Sequence, residues 1–301
     1  MSIFSHTRDR LAVLNSFGTD PGSLRADTYI PKNFPKNGPL VVVLHGSTQS
    51  AESYDNGAGW SALADECGVA LLFPGQRRTN NALGSFNWFR TGDSHRGGGE
   101  PLSIRQMIRQ TVDDHAVDPS RVFITGLSSG GAMTSVMLAT YPEAFAGGAI
   151  IAGLPYRSAR TLMQALFLMK GYGGLSDRKL DTLVRGASKF TGRWPTISVW
   201  HGGSDRTVDS SNADSIVRQW QNIHKVEGPP TRLEMVDGFT RQVWCNADGR
   251  VVIEEYIIER MGHGTPISAA GDEGLGKEGK YMLEVGISST RHIADFWGLT
   301  R

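Results

Sequence analysis

The chain has 301 residues, a net charge of +1, 37 glycines and two cysteines. That length can bury a sizeable core as one α/β unit, and abundant glycine with ordinary charge argues against a bundle or coiled coil. The near-neutral balance gives no global field for nucleic acid, no run of 18 apolar residues exists to span a membrane, and Cys67 and Cys245 lie outside any C-x-x-C or Cys/His cluster.

Residues 1–26 are polar and weakly patterned, so a surface arm is expected. The first ten residues contain no apolar h-region, which places the protein in the cytoplasm unless a signal has been removed. Asp27 to Pro31 is an early strand candidate. Pro39 to His45 is a continuous apolar run, the pattern of a strand buried on both faces. A short helix is expected over Trp60–Cys67 and a second buried strand over Val69–Phe73, stopped by Pro74-Gly75. Residues 76–101 show no periodicity and read as a long functional loop.

Ile104, Met107, Ile108 and Val112 recur at helical spacing, and a strand follows at Val122. A helix over Ser129–Thr140, a strand near Ala149–Ala152 and another over Thr196–His201 continue the alternation. Ala213–Val226 is a helix, Arg232–Val236, Gln242–Cys245 and Val251–Ile258 are strands, and Tyr281–Trp297 is a final helix. Strands alternating with helices give an α/β class with a mostly parallel central sheet flanked by helices, in a single catalytic domain over 1–301.

Chemistry enters at Gly126-Leu127-Ser128-Ser129-Gly130, which fits G-x-S-x-G, a sharp strand-to-helix turn that presents a serine hydroxyl. The pentapeptide is weak alone, so its partners must lie in loops after later strands, in the order Ser, Asp, His. Asp205 lies four residues past the strand ending at His201. Asp209 is the second candidate, with helix capping as its other role. Of the later histidines, His224 and His292 fall on helices and read as structural, whereas His263 sits between two glycines in a loop. The expected assignment is nucleophile Ser128, acid Asp205 and base His263. The backbone N–H groups of Ser129 and Ser47 would hold the oxyanion. No metal and no cofactor are expected, since neither a Rossmann nor a Walker A pattern occurs.

These stretches together resemble polyhydroxybutyrate depolymerase-type esterases. The resemblance runs in order through Leu44–Gln49, Phe86–Phe89, Arg96–Glu100, Gly126–Gly131, Gly153–Tyr156, Trp200–Asp205 and Gly262–Gly264. It implies the α/β-hydrolase fold and the same three catalytic residues. It also implies relatives that act as feruloyl and acetylxylan esterases and as endo-type poly(aspartic acid) hydrolases. Secreted depolymerases of this kind commonly carry a disulfide between cysteines where this chain has Ser47 and Ser85.

Segment 157–193 carries eight cations (Arg157, Arg160, Lys170, Arg178, Lys179, Arg185, Lys189, Arg193) against Asp177 and Asp181, a net of +6 in a chain of net +1. A basic helical insertion over the active site is expected, read either as a solvated face or as a track for a polyanion. On the second reading the preferred function is endo-hydrolysis of amide bonds in poly(aspartic acid), with a polymeric anionic substrate. The alternatives are a polyhydroxybutyrate depolymerase, a feruloyl or acetylxylan-type carboxylesterase, and a polyanion-binding protein on an inactive scaffold. Trp88, Arg90, Arg96, Arg157, Arg160, Lys170 and Trp194 are the candidate substrate contacts, and a homodimer stays open.

Overall fold

The computed structural model describes residues 10–271 and 274–300. In chain order, the N-terminal part comprises strands β1 (Ala12–Val13), β2 (Arg25–Tyr29) and β3 (Leu40–Leu44). Helices α1 (Ala51–Ala58) and α2 (Trp60–Cys67) follow, then β4 (Ala70–Gly75), α3 (Gly99–His115) and β5 (Val122–Leu127). The middle comprises α4 (Ser129–Thr140), β6 (Gly147–Ile151), α5 (Leu162–Met169), α6 (Asp177–Arg185), β7 (Thr196–Gly202) and α7 (Ser211–His224). The last part comprises β8 (Arg232–Val236), β9 (Phe239–Cys245), β10 (Val251–Ile258), β11 (Thr265–Ile267), β12 (Met282–Glu284) and α8 (Ser289–Phe296).

Ten strands form one sheet in the order β1-β2-β4-β3-β5-β6-β7-β10-β9-β8. The six from β4 to β10 in that order run parallel, and the outer strands on both sides pair antiparallel. This is the α/β-hydrolase fold. The all-apolar β3 shows why: alternate side chains enter opposite layers. Leu40, Val42 and Leu44 pack with Ile104 and Met107 of α3, Met133 of α4 and Trp220 of α7. Val41 and Val43 pack with Tyr54, Trp60 and Leu63 of α1 and α2, and with Ile293 of α8. Both faces are therefore dry, as parallel strands require.

Two expectations are corrected, and one helix is new. The described part of the 1–26 arm, from Arg10 on, is not merely surface chain. Leu24 and Ala26 are buried, and β1 and β2 extend the sheet beyond β4. Residues 1–9 of that arm lie outside the described residues. The expected final helix over 281–297 is split: Met282–Glu284 pairs in parallel with Thr265–Ile267 as a small second sheet, and only Ser289–Phe296 is helical. Helix α1 was not expected either, because Gly57 interrupts its pattern, and the missing side chain there makes room for Met282.

Candidate active site

The elbow forms because β5 cannot continue straight into α4. Ser128 has φ 57° and ψ −114°, a strained conformation for a residue with a side chain. Its N–H donates to Ile151 O at 2.9 Å, which ties the turn to the end of β6. The flanking glycines have a measurable reason. A Cβ on Gly130 would lie 2.4 Å from Leu44 O and 2.6 Å from His45 O, and one on Gly126 would lie 2.5 Å from the Gly130 carbonyl carbon. Helix α4 thus crosses the ends of β3 and β5 at backbone contact, and its N-terminal dipole points at the serine.

Ser128 Oγ lies 2.9 Å from His263 Nε2, and His263 Nδ1 lies 2.6 Å from Asp205 Oδ2. A carboxylate only accepts, so Nδ1 carries the proton and Nε2 is free to accept from the serine hydroxyl. The loops bearing Asp205 and His263 are laced together. Gly203 N–H donates to Ile258 O at 2.9 Å and Ser204 N–H to Met261 O at 3.0 Å. A Cβ on Gly202 would stand 2.3 Å from the carbonyl oxygens of Met261 and Gly262, so only glycine lets the two loops cross there.

Asp205 is held on both oxygens. Thr207 and Val208 N–H donate to Oδ1 at 2.7 and 2.9 Å, while Oδ2 faces His263 and lies 3.4 Å from His201 Nε2. Burial alone would raise this carboxyl. The two imidazoles and the Val208 N–H outweigh it and hold Asp205 well below the usual carboxylate range. Asp209, the second candidate, caps its own turn by accepting from Ser211 N–H and Oγ–H. His224 bonds Pro195 O and His292 bonds Asp237.

Ser47 and Ser129, the expected oxyanion pair, meet across the site with their Oγ atoms 3.2 Å apart, and Ser47 Oγ donates to Ser85 Oγ at 3.0 Å. Behind them lies a buried network that sequence reasoning missed. His45 uses Nδ1–H on Gly46 O at 2.8 Å and accepts Gln76 N–H on Nε2 at 3.1 Å. Burial pushes this imidazole down, toward its neutral form. Glu100 accepts from Gln76 Nε2, Asn87 Nδ2 and Asn87 N–H at 2.6, 2.7 and 2.9 Å. Burial, with Asp93 alongside, raises it to about 8 even so. The one available signal was the pairing of polar residues with turn residues in 76–101, a loop whose order comes from this carboxylate.

The expected substrate contacts divide. Trp88 is buried in the core with its ring edge-on to Phe89, and Trp194 packs edge-on against Phe190 and Trp220, so both are packing residues. Arg96 is committed to Glu143 at 2.6 Å, to Thr140 O at 2.7 Å and to the Tyr141 ring at 4.6 Å. Arg90 is exposed, and Arg157 and Arg160 border a cavity in the insertion. Lys170 donates to Arg206 O, next to Asp205. Two further bonds join the end of α5 to the end of that loop and to the first turn of α7, Asp209 N–H to Met169 O at 2.7 Å and Asn212 Nδ2 to Leu168 O at 3.0 Å. The insertion is helical, as expected, and it exposes large apolar side chains as well as charged ones. Leu162, Met163, Phe167 and Tyr172 are each more than half exposed, and Leu166 is nearly so.

Residues 26–228 match the family model described as Esterase PHB depolymerase. The poly(3-hydroxyalkanoate) depolymerase C of Paucimonas lemoignei is 41% identical over 301 residues, covering 99% of this chain and 72% of that protein. The chain belongs to the PHB depolymerase esterase family. An acetylxylan esterase of Coprinopsis cinerea is 30% identical over 86% of this chain and 70% of its own. Among solved structures, an acetyl xylan esterase from Aspergillus awamori superposes with a TM-score of 0.80 over 96% of this chain and 99% of its own. At 21% identity that likeness concerns the fold. This PHB depolymerase-type chain is a hydrolase, and its Ser128, His263 and Asp205 stand where its own loops converge.

Proposed function

We propose that the protein is a serine hydrolase that cleaves ester bonds in an apolar polyester of the poly(3-hydroxyalkanoate) kind, through an acyl-enzyme on Ser128. The observation that carries the chemistry is the unbroken hydrogen-bond chain Ser128–His263–Asp205 on a strained elbow. Serine is a poor nucleophile at its free pKa, so His263 Nε2 takes the hydroxyl proton as Oγ attacks the carbonyl carbon. Asp205 stabilises the imidazolium that forms. The oxyanion is received by the backbone N–H groups of Ser129 and Ser47, each worth about 3–4 kcal/mol in such a role. His263 then protonates the departing alkoxide, and water repeats the sequence on the acyl-enzyme.

The apolar face of α5 supports the substrate class. Leu162, Met163, Leu166 and Phe167 present a contiguous run to solvent on an element bonded to the Asp205 loop. Such a patch fits contact with an apolar polymer surface. The relationship to the Paucimonas lemoignei depolymerase points the same way.

The second reading is poly(aspartic acid) amide hydrolysis. The net +6 of segment 157–193, which already subtracts Asp177 and Asp181, favours it. A substrate panel separates the two. Purified protein is expected to clear a poly(3-hydroxybutyrate) suspension and to lose both this activity and fluorophosphonate labelling in Ser128→Ala. Chain scission of poly(aspartate) with polyester left intact would reverse the assignment. Cleavage of only feruloyl or acetylxylan esters would move it to the carboxylesterase alternative.

A further inference from the structure

A cavity of about 460 Å³ opens within the 157–193 insertion, inside the about 300–1,000 Å³ range of small-molecule sites. Its two sides differ in chemistry. Phe167 and Leu168 of α5, Leu183 of α6 and Leu175 between them give an apolar floor, with Tyr172 alongside. Arg157, Arg160 and Lys179 border the same space, and among the described residues no carboxylate does. The nearest acidic side chains of the insertion are engaged elsewhere, Asp177 with Arg218 at 3.1 Å and Asp181 with Arg185 at 2.8 Å. Arg157 also interacts with the Tyr156 hydroxyl. Guanidinium and ammonium groups bordering an apolar space favour an anionic acceptor.

We infer that this cavity binds the carboxylate end of an apolar oligomer, the acid-terminated fragment that each ester cleavage releases. This inference rests on the polyester reading of the active site. Hydrolysis of one ester bond leaves a hydroxyl end on one fragment and an anionic carboxylate on the other. Each released oligomer then ends in a carboxylate, and offers both an apolar body for Phe167 and Leu183 and a charge for Arg157, Arg160 and Lys179. An intact polymer interior has no such charge, and a polyaspartate chain has no such apolar body. The cavity therefore discriminates product from bulk substrate. The chain reaches it directly from β6, whose terminal Ile151 carbonyl accepts the Ser128 N–H.

The test is calorimetric titration of Ser128→Ala protein with three probes: the linear trimer of 3-hydroxybutyrate as the free acid, its methyl ester, and tetra-aspartate. The acid is expected to bind at least tenfold more tightly than the methyl ester. That difference should shrink at high salt and vanish in an Arg157→Gln, Arg160→Gln double variant. Lys179→Gln, on an exposed helical position, gives a second reading if the double variant does not fold. Equal binding of acid and methyl ester, no binding of either, or tighter binding of tetra-aspartate would each overturn the inference. Turnover of polyester by the wild-type protein is measured alongside. Polyester cleavage without acid-selective binding removes this inference alone, whereas an absence of polyester cleavage removes the proposed function whatever the cavity binds.

Discussion

His201 and Asp205 face each other as fully buried side chains, Nε2 to Oδ2 at 3.4 Å, while the same Nε2 donates to Val208 O at 2.9 Å. Val208 in turn gives its N–H to Asp205 Oδ1. One imidazole thus contacts both the Asp205 carboxylate and the carbonyl of the residue whose N–H holds it. Replacing it by leucine removes a donor facing the carboxylate, which makes Asp205 more basic and strengthens its pull on His263 Nδ1–H. His201→Leu is expected to lower kcat by about tenfold, equivalent to ~1.4 kcal/mol, with KM little changed. The acid limb of the kcat/KM profile should move to higher pH. His201→Gln, which keeps a donor at the same reach, should recover most of the activity. A pH profile identical to wild type in the leucine variant would reduce His201 to packing.

Gly130 admits no side chain, since a Cβ there would press on the carbonyl oxygens of Leu44 and His45. Gly130→Ala must push α4 away from β3, moving Ser129 relative to Ser47. Overpacking of this kind costs about 1–3 kcal/mol. The expected result is a lower melting temperature together with a loss of kcat larger than stability alone explains. Burst titration of active sites on folded protein separates the two.

Ser47 and Ser85, at 3.0 Å between hydroxyls, are placed for a covalent bridge. A Ser47→Cys, Ser85→Cys protein is expected to form a disulfide under oxidation. Closing a loop of 38 residues should add about 3–4 kcal/mol on the chain-entropy account. Comparing denaturant midpoints with and without reductant checks this; equal midpoints would mean that the local backbone cannot reach disulfide geometry.

Glu255 is buried with Oε1 unpartnered, and Gln242 donates only to Oε2 at 3.2 Å. Burial, with Asp214 nearby, raises its carboxyl from 4.5 to about 7. A folded-state value above the unfolded one means that the folded protein holds this proton more tightly. The stabilisation is complete below about pH 4.5 and is lost as pH rises through 7. Glu255→Gln keeps the neutral shape, so it should stabilise the protein at pH 8 by about 1–3 kcal/mol and leave it unchanged near pH 4. Chemical denaturation at the two pH values reads the difference.

The elbow turn and the meeting of Ser128, Asp205 and His263 were legible because their signals are local: an apolar strand, a glycine-flanked serine, a histidine between glycines. The parallel core strands were legible for the same reason. What escaped depends on contacts between distant residues. Arg96 looks like a free cation until Glu143, 47 residues on, is seen to hold it. Trp88 looks like a loop aromatic until its burial is known. Leu162 to Met169 is apolar at every position but Gln164, and only packing decides that Ala165 and Leu168 turn inward while Phe167 turns out. His201 ends a strand in any sequence reading; its meeting with Asp205 requires the turn through Gly202–Ser204.

The end of helix α5 is bonded to the segment between Asp205 and α7 and to the start of α7: Lys170 donates to Arg206 O, Asp209 N–H to Met169 O and Asn212 Nδ2 to Leu168 O. The exposed apolar face of α5 and the loop that follows Asp205 are therefore parts of one mechanical body. On the polyester reading proposed above, adsorption would load that loop itself, so rate per bound molecule, and not only the number of molecules bound, would become a property of the material underneath.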